Sequence, residues 1–231
     1  MGLVVVAIFT WPSDKVRVIF CDVGQGDGAI VMAGSFQMLI DTGSENNKMV
    51  ECLGRYLPFW DKTIEAIIIS HNDSDHSGGL RQVKEYYSVQ NIYSGNLVKN
   101  DVIRYKEISF EILNPEGDGG NENDNSIVGL LNFFGKTVLF LGDVTSSVEQ
   151  KLIWRKVLRQ AQDINVIKIS HHGSAEATSG ELLSTIKPKE AIISVGKNNK
   201  FGHPTKVVLE RLEKYGVKIR RTDREGDIIY Q

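Results

Sequence analysis

The sequence is poor in cysteine and in net charge, and each shortage excludes a class of protein. Two cysteines occur in 231 residues, and they lack a Cys-x-x-Cys spacing, so neither a disulfide framework nor a thiolate zinc site is indicated. Cys21 follows an apolar segment and is expected to be a small core residue. The net charge is −2, so overall basicity gives no argument for nucleic-acid binding.

The sequence also lacks a long hydrophobic run. Leu3–Phe9 is much shorter than the ~20 residues of a membrane-spanning helix, and no basic segment precedes it as in a signal peptide. We predict a short apolar lead-in over residues 1–13, either the remnant of a membrane helix or a first strand, and one domain over residues 14–231. The composition, 41% hydrophobic and 24% charged, is that of a globular domain with one substantial core.

The charges are unevenly distributed along the chain. Residues 1–150 contain 11 Lys and Arg against 20 Asp and Glu, a net charge of −9, whereas residues 151–231 contain 16 against 9, a net charge of +7. The basic part could hold an anionic substrate beside the acidic part. Alternatively, folding averages the imbalance out.

One stretch concentrates residues that bind metals. Ser70–Gly79 reads Ser-His-Asn-Asp-Ser-Asp-His-Ser-Gly-Gly and follows the apolar run Ile64–Ile69, which predicts a buried strand. The stretch therefore forms the loop at the carboxyl end of a strand, a usual place for an active site. Imidazole and carboxylate groups suit zinc, manganese or iron(II), and this number of ligands indicates two ions. The alternative is a solvated acidic turn with two surface histidines. The four candidate ligands are His71, Asp73, Asp75 and His76.

Acidic residues also occur at two turns nearer the amino end. Asp22 and Asp27 bracket a glycine-rich turn whose spacing does not match a dinucleotide fingerprint, since no helix pattern follows, and we predict no nucleotide cofactor. Asp41 follows the predicted hairpin strand Phe36–Ile40. These three carboxylates are candidates for hydrogen-bonding to metal-ligating histidines, although an aspartate at a hairpin exit is also a common structural feature.

Two further strand ends carry polar groups. Asn125 and Ser126 precede the predicted strand Ile127–Phe133, where they either contact the site or cap a turn. Asp143 follows the strand Lys136–Leu141 and is either a metal ligand or the N-cap of the next helix.

The basic part of the chain supplies the remaining histidines. His171 and His172 follow the apolar strand Ile164–Ile169, and adjacent side chains of a strand point in opposite directions. On this parity we predict His171 as a ligand and His172 as a substrate contact or proton donor. His203 precedes an amphipathic helix and either caps it or contacts substrate. Candidate substrate-binding residues nearby are Ser174, Lys197 and Lys200. At the end of the chain, residues 217–221 and 227–230 are expected to form a short antiparallel pair.

The order of these segments resembles a known family. The sequence is similar to the metallo-β-lactamase superfamily and, within it, to the C-terminal metallo-hydrolase domain of the ComEC competence proteins. The resemblance covers residues 16–231. The segments that carry it are Asp22-Val23-Gly24-Gln25-Gly26-Asp27, His71-x-Asp73-x-Asp75-His76, Asn125-Ser126, Gly142-Asp143, His171-His172-Gly173-Ser174, Gly202-His203-Pro204 and Arg221-Thr222-Asp223.

The resemblance implies an α/β (α+β) fold, a four-layer αβ/βα sandwich in a single domain. It implies two divalent metal ions, zinc or manganese, bridged by Asp143. His71 and Asp73 would complete one site. Asp75, His76 and His171 would complete the other. Residues with expected catalytic roles around the reacting phosphate are Asp75, Asn125, Ser126, His172 and His203.

The implied activity is phosphodiester cleavage by a nuclease acting on single-stranded DNA in connection with competence and DNA uptake. A longer relative would add a membrane channel domain, and the implied location is extracytoplasmic or membrane-associated. The sequence departs from the family near Asn125, where a histidine ligand is usual. Two alternatives stay open: a small-substrate phosphodiesterase or esterase resembling phosphorylcholine esterases, and a degenerate, non-catalytic binding module.

Overall fold

Two mixed β-sheets face each other in the computed structural model, which describes residues 15–115, 122–154, 158 and 164–231. The lead-in predicted over residues 1–13 lies outside this range. Within the described part, no helix is both long and apolar enough to cross a bilayer. The strands are β1 (Arg17–Phe20), β2 (Gly28–Ala33), β3 (Phe36–Thr42), β4 (Thr63–Ile64), β5 (Ala66–Ile69), β6 (Ser88–Val89), β7 (Ile92–Ser94), β8 (Val102–Tyr105), β9 (Ile108–Asn114), β10 (Val128–Phe133), β11 (Lys136–Phe140), β12 (Val166–Lys168), β13 (Glu190–Ile193), β14 (Lys218–Arg221) and β15 (Ile228–Tyr230).

Helices cover the outer face of each sheet. The first sheet has the strand order β15-β1-β2-β3-β5-β7 and the second has the order β14-β13-β12-β11-β10-β9-β8. The small β4–β6 pair stands apart from both. The helices are α1 (Lys48–Tyr56), α2 (Ser74–Ser77), α3 (Leu80–Tyr86), α4 (Ser146–Trp154), α5 (Gly180–Ile186), α6 (Lys206–Lys214) and α7 (Thr222–Glu225).

The alternation of apolar side chains along the strands explains the layering. In β1, Val18 and Phe20 face the core between the sheets, whereas Ile19 faces a second core under α1 and α3. In β12, Val166 faces the central core and Ile167 faces a third core under α4, α5 and α6. Both faces of each sheet are therefore buried, as the period of two in a strand requires. The expected four-layer αβ/βα sandwich is confirmed.

The strand directions bring several loops to one edge of the sandwich. β3 runs parallel to β5 in the first sheet, and β11, β12 and β13 run parallel in the second. The carboxyl ends of parallel strands meet at the same edge of a sheet. The chain segments that leave β5, β11, β12 and β13 begin at Ser70, Leu141, Ile169 and Ser194, and Asp41 is the second-last residue of β3.

Two expectations about the pairing of segments are wrong. Cys21 is buried, as expected, but its sulfur is bonded to that of Cys52, with the Cα atoms 6.0 Å apart. β14 and β15 do not pair with each other. β14 lies parallel to β13, and α7 then carries the chain to β15, which lies antiparallel to β1 in the other sheet. Both errors concern contacts between segments distant in sequence, which spacing rules and local turn patterns do not report.

A buried ion pair joins the two sheets near this edge. Lys168, on β12, shares a face with Val166 and points into the space between the sheets. Its ammonium donates hydrogen bonds to Asp27, at 2.5 Å, and to the carbonyl of Ile169, at 2.8 Å. Asp27 belongs to the loop between β1 and β2, so the pair connects residues of opposite sheets. Both side chains are almost completely buried.

The disulfide predicts a measurable gain in stability. It closes a loop across 31 residues of sequence, and the loop-closure entropy of a chain of this length corresponds to about 3–4 kcal/mol. We expect the midpoint of urea unfolding to fall when dithiothreitol is present. The Cys21→Ala/Cys52→Ala double variant should have a lower midpoint than oxidised wild-type protein, both with and without dithiothreitol. Identical midpoints for oxidised and reduced wild-type protein would contradict the bond.

The Lys168–Asp27 pair generates a second stability prediction. Lys168→Met should lower the free energy of unfolding of the metal-free protein by about 3 kcal/mol or more, since it leaves a buried carboxylate without its cation. The double variant Asp27→Asn/Lys168→Met should recover part of the loss. Lys218→Met is the matched control, because Lys218 forms an exposed pair with Glu190 and such pairs contribute little. Equal effects of the two single substitutions, measured by urea unfolding, would show that the buried pair has no special role.

Candidate active site

The loop after β5 is shaped by a short helix. The amides of His76 and Ser77 donate to the carbonyl of Asp73, at 3.0 and 2.9 Å, and this forms the first turn of α2. Asp75 and His76 therefore project from a helical turn directly beside the end of the strand. The carbonyl of Asp75 accepts the amide of Asp27 at 3.0 Å. Gly26 makes this contact possible, since a Cβ at this position would lie 2.0 Å from that carbonyl oxygen.

Three buried side chains from two strand exits converge on one point. One ligand atom each of His71, His76 and Asp143 lies within 4.8 Å of the others. The Nε2 atom of His76 is 3.3 Å from Oδ1 of Asp143. The Nε2 atoms of both histidines and Oδ1 of Asp143 are buried and have no hydrogen-bond partner. These atoms are close to groups of opposite charge, since Nε2 of His71 also lies 3.3 Å from Oδ2 of Asp73, but none makes a well-aligned hydrogen bond. Buried polar atoms without such bonds destabilise a protein unless something else binds them.

A second cluster shares His76 with the first. Ligand atoms of Asp75, His76 and His172 also lie within 4.8 Å of one another. The Nε2 atom of His172 is 3.1 Å from Oδ2 of Asp75 and 3.9 Å from Oδ2 of Asp143. Asp143 therefore faces both clusters, and the resemblance implies a bridging role for this carboxylate.

His172 lies closer to the centre than His171. The strand β12 ends at Lys168, and Ser170–Gly173 forms a kinked turn with left-handed backbone angles, φ being 46° at His171 and 52° at His172. The alternation of a strand therefore does not extend to these residues. His172 is buried, whereas 37% of the His171 side chain is exposed and its Nε2 lies 3.9 Å from Oδ2 of Asp143. This placement favours His172 over His171 as the ligand that accompanies Asp75.

Hydrogen bonds from behind hold the imidazoles in orientation. The Nδ1 atom of His76 donates to Oδ2 of Asp41 at 2.8 Å, so Nε2 faces the cluster. Ser70 donates its amide and hydroxyl to the same carboxylate and lies 3.0 Å from Nδ1 of His71. The Nδ1 atom of His172 lies 3.0 Å from the carbonyl of Ser194 and 3.2 Å from Oδ1 of Asp27. Such partners fix the tautomer of a metal-ligating histidine.

The electrostatics of the site favour positive charge. Burial opposes protonation of His172, but the Asp27 carboxylate and its hydrogen bond, with Asp75 and Asp143, raise its pKa to about 9. Burial likewise opposes protonation of His76, yet Asp41 and Asp143 raise its pKa well above the usual range. Burial alone would raise the pKa of Asp143, but these two imidazoles hold it far below its usual range. In the metal-free protein, His76 and His172 therefore hold protons at the position where metal cations could bind.

The donor set fits divalent metal ions. It offers imidazole nitrogens and carboxylate oxygens, the ligands that zinc, manganese and iron accept. Unpaired buried atoms occur where the two clusters meet, and outer hydrogen bonds already fix the rings. The residues that could hold ions are His71, Asp75, His76, Asp143 and His172, with Asp73 at the edge, where its Oδ2 lies 3.3 Å from Nε2 of His71.

Other predicted residues surround the clusters at different distances. Ser126 is buried and its hydroxyl accepts the amide of Asp143 at 3.3 Å, so it positions that carboxylate. Asn125 occupies the turn before β10, and its amide donates to the carbonyl of Glu122. Asp22 accepts the amide of Gly24 at 3.1 Å and lies 3.6 Å from the Lys48 ammonium, so it shapes the glycine-rich turn.

The remaining predicted residues lie on two loops beside the clusters. The His203 ring stands perpendicular to that of His171, with 5.7 Å between their centroids. Burial, with the neighbouring His171 and His172, lowers the pKa of His203. Ser174 donates its amide to the carbonyl of His171 at 2.9 Å. Lys197 and Lys200 are exposed on the loop that leads to His203.

Sequence reasoning missed two residues of the site. Lys168 lies inside a run interpreted as an apolar strand, and a lysine at a core-facing position of such a run is the signal that could have revealed it. The second is Ser70, the residue before the predicted ligands, whose hydroxyl connects Asp41 with His71 and His76. No local pattern distinguishes this serine from an ordinary loop residue.

The comparisons with known proteins agree with the fold. The family described as the metallo-β-lactamase superfamily matches residues 23–111. ComE operon protein 3 of Bacillus subtilis is 28% identical over 97% of this chain and 34% of its own length. Recombination protein 2 of Haemophilus influenzae is 31% identical over 95% of this chain and 28% of its own length. The chain thus spans about a third of these relatives.

Solved structures show the same fold at low sequence identity. The metallo-β-lactamase fold protein YhfI from Bacillus subtilis has a TM-score of 0.63 at 10% identity, covering 94% of this chain and 99% of its own. The zinc-bound PqqB from Methylobacterium extorquens has a TM-score of 0.59 at 10% identity, covering 90% and 87%. A diphosphatase of the PhnP family has a TM-score of 0.56 at 12% identity, covering 94% and 98%.

The resemblance found in the sequence is confirmed by these findings. Residues 23–111 match the metallo-β-lactamase superfamily, and the two facing sheets have the metallo-β-lactamase fold, with the histidine–aspartate clusters at their edge. Over most of its length the chain is similar to one part of the ComEC-type competence proteins.

Proposed function

We propose that this domain is a metal-dependent phosphodiesterase that cleaves single-stranded DNA, with zinc or manganese as its ions. The observation that carries the proposal is the convergence of buried ligand atoms from His71, His76 and Asp143 that make no hydrogen bond. These atoms lie next to the second cluster. Bound divalent cations would lower the pKa of water to give a nucleophile near neutral pH and would neutralise charge on a phosphate.

The residues of the chain supply orientation and proton transfer. Asp41 and Asp27 keep the Nε2 atoms of His76 and His172 facing the clusters. Ser126 holds the backbone of Asp143. His203 has an unpaired buried Nδ1 atom and a lowered pKa, so its neutral ring can donate a hydrogen bond to a phosphate oxygen through one nitrogen and accept a proton at the other.

The choice of DNA as substrate rests on the relatives and on the surface beside the clusters. Relatives of this chain are named competence and recombination proteins. Lys197 and Lys200 are exposed on a loop adjoining the histidines, where cations would attract backbone phosphates. A small phosphodiester is the second candidate, since a fold neighbour is named a diphosphatase.

We propose further that the domain works outside the cytoplasm, attached to a membrane channel in a longer protein. The Cys21–Cys52 disulfide supports this location, since disulfides persist in oxidising compartments. The relatives are about three times as long as the matched region, which leaves room for such a channel.

Adjacent histidines provide a test of the metal site. His172→Ala should lower the metal content of the zinc-loaded protein by about one ion per chain, whereas His171→Ala should retain the wild-type content. Metal is measured by elemental analysis after saturation and gel filtration, and circular dichroism verifies folding. The reverse order of effects would restore His171 as the ligand. Fewer than one ion per wild-type chain at saturation would indicate a non-catalytic binding module.

Asp143 provides the test of the activity. Asp143→Asn should reduce metal-dependent cleavage of a labelled single-stranded oligonucleotide by roughly 10²-fold or more, because it weakens a ligand shared by both clusters. The matched control is Glu85→Gln, at an exposed position on α3. The assay follows chelator-stripped protein reloaded with zinc, manganese or magnesium. Activity of the folded, stripped protein would refute a metal-dependent reaction, and turnover of bis(p-nitrophenyl) phosphate without oligonucleotide cleavage would favour the small-substrate enzyme.

A further inference from the structure

An exposed aromatic ring stands directly beside the proposed active site. Phe201 is 68% exposed, and its ring lies 6.1 Å from the ring of His203, centroid to centroid. The His203 ring in turn contacts that of His171 at 5.7 Å. Other exposed aromatic residues lie elsewhere; Phe59, for example, packs edge-on against Trp60 at 4.9 Å. Within the described chain, Phe201 is the exposed aromatic in ring contact with a histidine of the site.

The loop that carries Phe201 is held in one conformation by its own side chains. The Asn199 amide group donates to the carbonyls of Gly196, at 3.2 Å, and His203, at 2.8 Å. Its oxygen accepts the amide of His203 at 3.0 Å. The loop is thereby closed on itself across the position of Phe201. A ring presented in this way costs little additional entropy when a ligand binds.

The loop is also anchored to the turn that bears the histidines. The carbonyl of Gly173 accepts both the amide and the hydroxyl of Thr205, at 2.9 and 3.1 Å. Pro204 packs so closely on Gly173 that a Cβ there would lie 2.6 Å from the proline Cβ. The position of the phenyl ring is therefore coupled to that of His172, one residue before Gly173.

We propose that Phe201 is a stacking platform for the base of a nucleotide that flanks the phosphate being cleaved. The proposal rests on the nuclease function above and names the part of the substrate that this residue would recognise. A large exposed ring has a hydrophobic face that water solvates poorly, and a nucleobase covers such a face well.

The distances and charges fit a single strand. Two ring contacts separate the phenyl group from His171, whose Nε2 atom is 3.9 Å from Asp143. A base one or two nucleotides from the scissile phosphate can span this separation. Lys197 and Lys200, exposed on the same loop, lie where a backbone would pass. Positive charge combined with an aromatic face is typical of sites that bind single strands without sequence preference.

Stacking on Phe201 would make the enzyme discriminate between nucleic acids and small phosphodiesters as substrates. A small diester would bind at the metal clusters but has no base that could contact the Phe201 ring. A duplex keeps its bases stacked on one another and cannot offer one to the protein without unstacking it. The platform therefore predicts a preference for single-stranded over double-stranded DNA, independent of base identity.

The test combines a substitution with deletion of a base from the substrate. Phe201→Ala in the metal-loaded, full chain should raise KM for an intact single-stranded oligonucleotide by roughly tenfold, within the range of about 5- to 150-fold that stacking of one base supports. Phe201→Trp should keep KM near the wild-type value. The matched control is Phe59→Ala, since Phe59 is 69% exposed and lies on the loop before β4.

The second substrate set carries a single abasic site at successive positions beside a fixed cleavage point. At one flanking position, removal of the base should raise KM of the wild-type protein to the value that Phe201→Ala has on the intact strand. On this abasic strand, Phe201→Ala should not raise KM further. If Phe201→Ala raises KM equally for intact and abasic strands, or leaves KM unchanged, the proposed stacking platform is wrong, whereas the proposed nuclease activity is not affected. If wild-type protein neither cleaves nor binds the intact strand, the nuclease proposal fails and the platform with it.

Discussion

The burial of charge between the two sheets is the constraint on which the rest of this structure depends. Asp27, Asp41 and Asp143 are each at most 5% exposed. A carboxylate removed from water must be neutralised, paired or protonated, since an isolated buried charge destabilises the fold by several kcal/mol. Here the compensation comes from across the interface. Lys168 reaches Asp27 from the opposite sheet. The imidazole of His76 lies between Asp41 and Asp143, and that of His172 lies between Asp27 and Asp143.

The same constraint explains why the site suits metal ions. In the metal-free protein, the raised pKa values of His76 and His172 show that neighbouring carboxylates attract positive charge strongly enough to overcome burial. Divalent cations would displace these protons and satisfy the ligand atoms that lack partners. Asp27 and Asp41 already hold the Nδ1 sides of the rings, so little reorganisation is needed when ions bind. The same side chains thus compensate buried charge in the folded protein and provide the ligands for divalent cations.

The position of the site at one edge of the sandwich connects the acidic and basic parts of the chain. The acidic part supplies the loop after β5 and Asp143, whereas the basic part supplies the turn at His172 and the loop at Lys197. The charge imbalance seen in the sequence is therefore not merely averaged out, because residues from both parts border the same clusters. The candidate metal ligands His76, Asp143 and His172 are buried, whereas Lys197, Lys200 and Phe201 are exposed on the adjoining loop. Such an arrangement suits a polyanion whose backbone passes over a metal centre.

Local sequence patterns determined much of this protein. Apolar runs followed at once by His, Asp or Gly predicted the strands and the ligand-bearing loops, because strand periodicity and turn chemistry act over a few residues. The four-layer fold was implied by the resemblance of these segments to the metallo-β-lactamase superfamily. Only the tertiary structure decided the pairings. The contact of Lys168 with Asp27 spans 141 residues and the disulfide spans 31. The turn that points His172 inward uses left-handed backbone angles, and these depend on packing against Pro204 and Ser194 that no local pattern encodes.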